Sequence, residues 1–375
     1  MKRICFLLRS HVAQALGGAE LQSYYIAQEL GKRGWDVHCI AEKGGQVLGQ
    51  HCDNGIPVHW LPERARGCGL ANYWHLSRVL REVSPDVIYQ RVALDYTGIA
   101  GALARKYRIK YVWAAAANRD FLKPSYQHLV RNYRNPLKQM AVYIKLLGIH
   151  CLVSYGISRS DIAIVQSNDQ QKLLLTRWPM KLCAVIKNGH PICNAGETKP
   201  RMPSVLWIAN IKHWKRVDLY VDLAKRCQDL PAKFYIIGRD QNRSIESLLS
   251  SERVHNVEYL GAMTVAEVER HLERADLLVN TSDKDYEGFP NTFIQAWMRK
   301  TPVVSLHVDP DDVIKSHGLG FHSGSFGRMV DDVRLILMDQ ELRREMGENA
   351  CGYATTEHDL ETTVNALERV LNSLV

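Results

Sequence analysis

Short apolar runs of strand length alternate with helix-period segments along the whole chain, and this alternation admits little besides a mostly parallel α/β sheet. Residues 3–8 read as the first strand, and Gly17-Gly18 opens a helix that runs to Lys32 and stops at Gly34. Further strands are expected at 37–41, 86–89, 110–113, 162–166 and 184–187, with a helix ending near Lys106. Residues 190–203 then take on the proline-bearing, polar composition of a linker. The pattern restarts with strands at 205–208, 233–237, 257–260, 277–280 and 302–306. Helices are expected at 219–227, 265–273, 291–299, 331–338, 341–347 and 356–374. A chain of 375 residues exceeds what one hydrophobic core usually serves. The expected organisation is therefore a Rossmann-like domain over 1–190, a linker at 191–203, a second Rossmann-like domain over 204–355 and a last helix from 356 to 375. Two such α/β units facing each other imply a cleft, and ligands of such sheets sit at strand carboxyl ends.

Composition removes the competing classes. Apolar residues at 46% and charged residues at 23% exclude a disordered chain, a collagen-like repeat and a small disulfide scaffold. The longest apolar stretch, about residues 140–157, is interrupted by Lys145 and His150, so no spanning helix is expected. Residues 4–8 are too short for a signal peptide and fit the first strand instead. The nine cysteines are odd in number, scattered and never spaced CxxC, which points to reduced cytosolic thiols and no structural zinc.

Charge is divided unevenly. Residues 1–195 carry 26 Lys and Arg against 12 Asp and Glu, whereas residues 196–375 carry 22 against 28. A basic half suggests an anionic partner: a phospholipid surface, a phosphorylated substrate or, last in rank because no recognition motif appears, nucleic acid. Lys123, Arg131, Arg134, Lys138 and Lys145 accompany Tyr126, Leu129, Val130, Tyr133, Leu137, Met140 and Tyr143. A basic amphipathic segment followed by the apolar stretch 146–157 suits an anionic membrane interface, with a solvated helix face as the alternative.

Residues 280–297 (NTSDKDYEGFPNTFIQAW) are the most informative stretch. A strand ends at Asn280, a polar loop follows, and Gly288 allows a tight backbone path into a helix. The first amides of that helix lack internal partners and suit a diphosphate. Gln295 lies eight positions after Glu287, close to the same face, so a carboxylate and an amide could grip sugar hydroxyls on either side of a phosphate. Spacing alone equally fits an ordinary helix entry.

This stretch resembles the donor-binding motif of retaining family 4 glycosyltransferases of the GT-B type, in which a Glu is followed eight positions later by a second Glu. Here Glu287 holds the first place and Gln295 the second, and EGFPNTFIQAW resembles a polysaccharide-assembling branch of that family. The resemblance implies that Glu287 faces the transferred sugar and Gln295 the ribose, whose hydroxyls an amide can still bond. It implies too that amides of Gly288, Phe289, Asn291 and Thr292 meet the diphosphate or sugar. Pro290, with no N–H, acts by shape alone. Residues 207–218 (WIANIKHWKRVD) match the segment in which an Arg and a Lys bind the diphosphate: Lys215 falls on the Lys position, Asn210 replaces the Arg, and Arg216 is a weak substitute. Gly17 and Gly18 resemble the glycine-rich loop facing the reacting groups, and Gly261 the turn that receives the base. Residues 308–320 (VDPDDVIKSHGLG) match the same branch.

The His that many relatives carry after the strand at 110–113 is absent; the loop reads Ala114 to Asp120. Asn118, Arg119 and Asp120, together with His11, are then the acceptor-side candidates, although a structural loop and a surface His are equally ordinary readings. Asp283 and Asp285 form a DxD, which a different glycosyltransferase fold uses to hold a metal; chance occurrence in an acidic loop is the better reading here. No HExxH, GxSxG, Walker loop or strand-linked GxGxxG is present.

The expected function is retaining hexosyl transfer from a nucleotide-diphosphate sugar to a hydroxyl of a glycan or lipid-linked acceptor. Catalysis would rest on Lys215 and Glu287, with no metal or other cofactor, in the cytoplasm or at the inner face of the cell membrane. Two rivals are a non-catalytic sugar-nucleotide-binding protein, motivated by Asn210, Gln295 and the missing His, and a sugar-nucleotide epimerase, which would need no acceptor.

Overall fold

The computed structural model describes residues 1–13, 17–42, 51–63, 69–122, 135–193, 202–241, 244–252 and 254–375. Lys123, Tyr126, Leu129, Val130, Arg131, Tyr133, Arg134, Cys68 and most of the expected linker lie outside the described residues. The chain forms two units, Met1–Lys187 with Thr363–Val375, and Asn188–Thr362.

The first unit runs β1 (Arg3–Leu7), α1 (Gly18–Lys32), β2 (Asp36–Glu42), β3 (His51–Asp53), β4 (Ile56–Leu61), α2 (Tyr73–Val83), β5 (Val87–Arg91), α3 (Asp95–Tyr107), β6 (Lys110–Ala114), α4 (Pro136–Arg159), β7 (Ile162–Val165), α5 (Asn168–Arg177) and β8 (Cys183–Val185). Its sheet has the order β3-β4-β2-β1-β5-β6-β7-β8. The short β3 pairs antiparallel with β4, and the other pairings are parallel. β1 is central, and Ile4, Cys5, Phe6 and Leu7 are buried on both faces, which is why the run is continuously apolar rather than alternating. Residues 363–375 close the unit: Val364, Leu367 and Leu371 are buried, and Glu368 accepts from the Trp35 indole at 2.9 Å and from Arg33 at 3.1 Å.

The second unit runs β9 (Ser204–Ile208), α6 (Val217–Arg226), β10 (Lys233–Ile237), α7 (Ser244–Glu252), β11 (Val257–Gly261), α8 (Val265–Arg274), β12 (Leu277–Asn280), α9 (Asn291–Trp297), β13 (Val303–Ser305), α10 (Val313–His317), β14 (Gly320–His322), α11 (Phe326–Met338), α12 (Gln340–Glu357) and α13 (Leu360–Leu374), which crosses into the first unit at Thr363. All pairings in its sheet are parallel, in the order β11-β10-β9-β12-β13-β14. Numbered within the unit this is 3-2-1-4-5-6, the doubly wound Rossmann order.

Helix α4 departs from the sequence reading. Lys145 and His150 do not interrupt α4, because neither is a helix breaker. Asn135 caps it, accepting from the amides of Leu137 at 2.9 Å and Lys138 at 3.4 Å, and Pro136 occupies the first turn, where its missing N–H costs nothing. By length and composition α4 could cross a membrane, although its last turns are packed against α3. The contact is backbone to backbone: a Cβ on Gly156 would stand 2.1 Å from the Thr97 carbonyl oxygen, and one on Gly98 would stand 2.5 Å from that of Leu152.

Candidate functional site

Strand order alone singles out one position in the second unit. The chain leaves β9 toward β10 on one side, while β12 lies on the other, so the loops after β9 and β12 diverge and open a crevice at the strand carboxyl ends. Lys215 stands on the first of these loops, in the turn His213–Lys215, and Glu287 on the second. The Lys215 ammonium contacts the Glu287 carboxylate, with side-chain exposures of 22% and 11%. Two groups 72 positions apart are thus brought into direct contact.

The two loops are fastened together by groups that touch neither charge. Trp207 Nε1 donates to Thr281 Oγ1 at 2.9 Å, and Thr281 Oγ1 donates to the Lys215 carbonyl at 2.9 Å. The Asp283 amide donates to the Trp214 carbonyl at 2.9 Å, and the Trp214 and Tyr286 rings stack at 5.3 Å. Arg216 turns elsewhere: it has a left-handed φ of 50° and pairs with Asp218 at 2.8 Å.

Beyond Glu287 the chain is buried through Pro290. Gly288 does not have a positive φ, so the tight path expected there needs no left-handed glycine. The Phe289 ring packs on His358 at 4.6 Å and on Trp297 at 6.0 Å, leaving only its backbone for a ligand. Helix α9 is only seven residues long, and no side chain caps its start. So short a helix has a small summed dipole, and direct N–H donation from Asn291 and Thr292 is what it can offer an anion. Gln295 is buried, and its side-chain amide makes no hydrogen bond among the described residues. Asn210 is exposed on the loop after β9. Gly261 ends β11 at φ +80°, and its carbonyl accepts from the Gly238 amide at 2.8 Å.

The sequence reading missed the support behind this loop. Asn188 Nδ2 donates to the Phe289 carbonyl at 3.3 Å, and His190 Nε2 lies 3.2 Å from Asn291 Oδ1, so the pair brackets Pro290. His190 is also tied by its backbone to His358 and Leu360, and the His358 ring nitrogen Nδ1 bonds the Asn188 carbonyl at 2.8 Å. Burial, seconded by the Arg299 charge, pushes the His190 pKa down to about 4 against a partial upward pull from Asn291. The only sequence signal was Asn188-Gly189-His190 beyond the strand expected at 184–187, at the end of the first expected domain and running into the linker composition that begins at His190. Gly238 was missed as well: a Cβ there would fall 1.8 Å from the Ala209 carbonyl oxygen.

The remaining candidates belong to the first unit. Gly17 precedes α1 with an extended backbone and a carbonyl that accepts from Leu21, and Gly18 is exposed. His11 is not a surface residue: it is buried with its ring edge-on to Trp60 at 5.9 Å. Asp120 is buried and accepts from the amides of Ala116 at 2.8 Å, Ala117 at 3.1 Å and Ala93 at 3.4 Å. Its carboxylate is therefore taken up inside the alanine loop, although burial pushes its pKa up against those three bonds. Asn118 Oδ1 accepts from Gln170 at 3.3 Å. Among the described residues no group of three or more His, Cys, Asp or Glu is placed to hold a metal ion.

Comparison with known proteins agrees with this fold. Residues 202–339 match the family model "Glycosyl transferases group 1", and residues 16–192 match "Glycosyltransferase Family 4". No curated protein matches the chain in sequence. Among solved structures the chain is similar to Anabaena HepE in complex with UDP and glucose (TM-score 0.75, 17% identity, 100% of both chains covered). It is similar also to a glycosyltransferase of Rickettsia africae (TM-score 0.74, 13% identity, 100% and 98% covered). A third is WaaG, a glycosyltransferase involved in lipopolysaccharide biosynthesis (TM-score 0.72, 17% identity, 98% and 99% covered). With two Rossmann-like units of the GT-B fold and matches to both family models, the chain belongs to the family 4, group 1 glycosyltransferases, which move a sugar from a nucleotide-diphosphate donor.

Proposed function

We propose that this chain transfers a hexosyl group from a nucleotide-diphosphate sugar to a hydroxyl of a glycan or lipid-linked acceptor. Transfer proceeds with retention at the anomeric carbon, in cell-surface polysaccharide synthesis at the cytoplasmic face of a membrane. The observation that carries the reading is the contact between the Lys215 ammonium and the Glu287 carboxylate at the β9/β12 crevice. The complexes of HepE with UDP and glucose support a hexose donor, and the role printed for WaaG supports a surface-glycan product.

The chemistry follows from the charges. The bond between the anomeric carbon and the diphosphate oxygen breaks while the acceptor oxygen bonds to the same carbon on the same face. The acceptor proton passes to the departing phosphate oxygen, so no separate base is required, and the products are the glycoside and the nucleoside diphosphate. Negative charge grows on the leaving oxygen, and a preplaced ammonium meets it without reorganisation, an effect of about 3 kcal/mol for a single well-placed group. Lys215 supplies that charge, and Glu287 both holds the ammonium in place and accepts from hydroxyls of the sugar. Amides of Gly288, Phe289, Asn291 and Thr292 bind the diphosphate or sugar, Gln295 bonds the ribose, and the turn at Gly261 receives the base. Asn210 and Arg216 add no cation there, the first being neutral and the second committed to Asp218. Gly17 and Gly18 belong to the donor side and Asn118 to the acceptor side, while His11 and Asp120, both enclosed, brace their loops.

The test is Lys215→Ala, assayed for donor binding by calorimetry and for turnover with a soluble glycan acceptor. Turnover should fall by about a hundredfold or more, with donor affinity changing much less. Unchanged turnover at intact binding rejects the charge-stabilising role.

A further inference from the structure

The loop after β12 holds Lys215 at both ends. Glu287 contacts the ammonium, and from the start of the same loop Thr281 Oγ1 donates to the Lys215 carbonyl at 2.9 Å. Thr281 is fully buried, one residue beyond the end of β12, and its hydroxyl lies 2.9 Å from Nε1 of Trp207, which is buried on β9. Chemistry fixes the direction of this relay. An indole N–H only donates, so Thr281 Oγ1 accepts from Trp207, and its one hydroxyl proton goes to the carbonyl. The Trp207 ring is placed by its strand, which pairs with β12 through Val205–Leu277 and Leu206–Leu278, and by the Tyr220 ring at 6.4 Å.

We infer that Thr281, oriented by Trp207, is a positioning residue for sugar transfer: it fixes the backbone of the Lys215 turn against the Glu287 loop and so sets where the ammonium stands before the donor binds. This deepens the reading under Proposed function and rests on the role given there to Lys215.

The turn needs such a fastening. It spans only His213–Lys215, and none of its three residues is buried, so it has no core contact of its own to locate it. A lysine side chain is a flexible four-carbon stem carrying a hydrated point charge, and one contact at its tip leaves the base of the stem undefined. Two bonds from the β12 loop define that base. The Asp283 amide donates to the Trp214 carbonyl at 2.9 Å, a backbone bond that outlasts any side-chain substitution. The bond to the Lys215 carbonyl depends on one hydroxyl. Removing it strands a carbonyl on the turn and an indole N–H in the core. Displacing a reacting group by about 1 Å costs on the order of a hundredfold in rate. With the Asp283 bond still in place the turn shifts by less, and a loss of about tenfold is expected.

The experiment is steady-state transfer to a soluble glycan acceptor by the full chain, with Thr281→Val and Thr281→Ser each made in wild type and in Lys215→Ala. Thr281→Val keeps the volume and removes the proton donor; kcat should fall about tenfold or more while donor KM changes much less. Thr281→Ser keeps the hydroxyl and should recover most of that loss. In the Lys215→Ala background Thr281→Val should lose no more than about a further twofold, because the group it positions is already gone. Trp207→Phe leaves the Thr281–Lys215 bond in place and should lose less turnover than Thr281→Val. Thermal unfolding checks that each variant is folded. If Thr281→Val is not, Thr281→Cys, whose S–H is a weak donor, replaces it with the same expectations. Wild-type kcat in Thr281→Val overturns the inference. So does an equal loss in both backgrounds, which makes Thr281 structural only, a Thr281→Ser no better than Thr281→Val, or a larger loss in Trp207→Phe. The two readings fail differently: Lys215→Ala turning over like wild type rejects the role of Lys215 itself, whereas an impaired Lys215→Ala beside an unimpaired Thr281→Val rejects only the positioning.

Discussion

His190 makes folding stability depend on pH in a way that isolates the support behind the donor loop. Its pKa lies at about 4 in the folded chain against an ordinary value of 6.5, chiefly because the ring is buried and secondarily because Arg299 is near. A histidine with a depressed folded pKa is held neutral by the fold, whereas the unfolded chain binds the proton. Stability is therefore complete above the unfolded pKa and falls as pH drops from about 6.5 toward about 4. With those two values, the loss between about pH 7 and about pH 5 is about 2 kcal/mol, reaching about 3 kcal/mol near pH 4. The slope in between corresponds to nearly one proton. Other half-buried histidines with lowered pKa, among them His38, His59, His271 and His322, add slopes of the same sign, so wild type alone does not identify the source. His190→Gln does: its amide can still donate to Asn291 Oδ1, but it does not titrate. Urea unfolding of both proteins from pH 7 to pH 5 should show the variant losing about 2 kcal/mol less than wild type over that interval. Parallel pH profiles would refute the reasoning, because His190 would then carry the same proton affinity folded and unfolded. His190→Leu adds the functional arm: with the bond to Asn291 gone, donor KM should rise, and His190→Gln should restore most of it.

Three further outcomes follow from single contacts. In a double-mutant cycle, Lys215→Ala and Glu287→Gln should be far from additive in stability: removing the ammonium alone strands a mostly buried carboxylate and costs about 3 kcal/mol, and Glu287→Gln added to it recovers part of that, as read by denaturant unfolding. Gln295→Ala should raise donor KM about tenfold with kcat little changed, while Gln295→Glu should bind donor nearly as well as wild type, both measured by steady-state kinetics. Gly156→Ala should destabilise the chain by about 2 kcal/mol or more, because its Cβ would meet the Thr97 carbonyl, a backbone atom that moves only if α3 and α4 separate; thermal unfolding reads this directly.

What could be read from the sequence, and what could not, follows from how local each constraint is. The central strands β1, β9 and β12 were legible because strands buried on both faces are apolar throughout, and no other element of a soluble chain shows that run at that length. The strand β4 was not, since its burial is interrupted at Pro57, His59 and Trp60 and it loses that continuous signature. Glu287 and Lys215 were legible because each stands in a segment that resembles a known motif, on a loop that must leave a strand at its carboxyl end. Asn188, His190 and His358 were not legible: their partners Phe289 and Asn291 lie about a hundred residues from the first two. Nothing in the local composition of a linker separates a buried neutral histidine from an exposed one. The same distinction explains His11 and Asp120. Both were taken from the sequence as polar groups free to meet an acceptor, and both are enclosed, His11 by Trp60 and Asp120 by three backbone amides. A polar residue on a loop announces only that it can form hydrogen bonds; whether its partner is a ligand or its own backbone is decided by the fold. For α4 the reverse holds. Its sequence fits a membrane interface or a solvated helix face equally well, and only the fold shows that Leu137, Met140, Ile144 and Leu147 are exposed, with no partner covering them among the described residues.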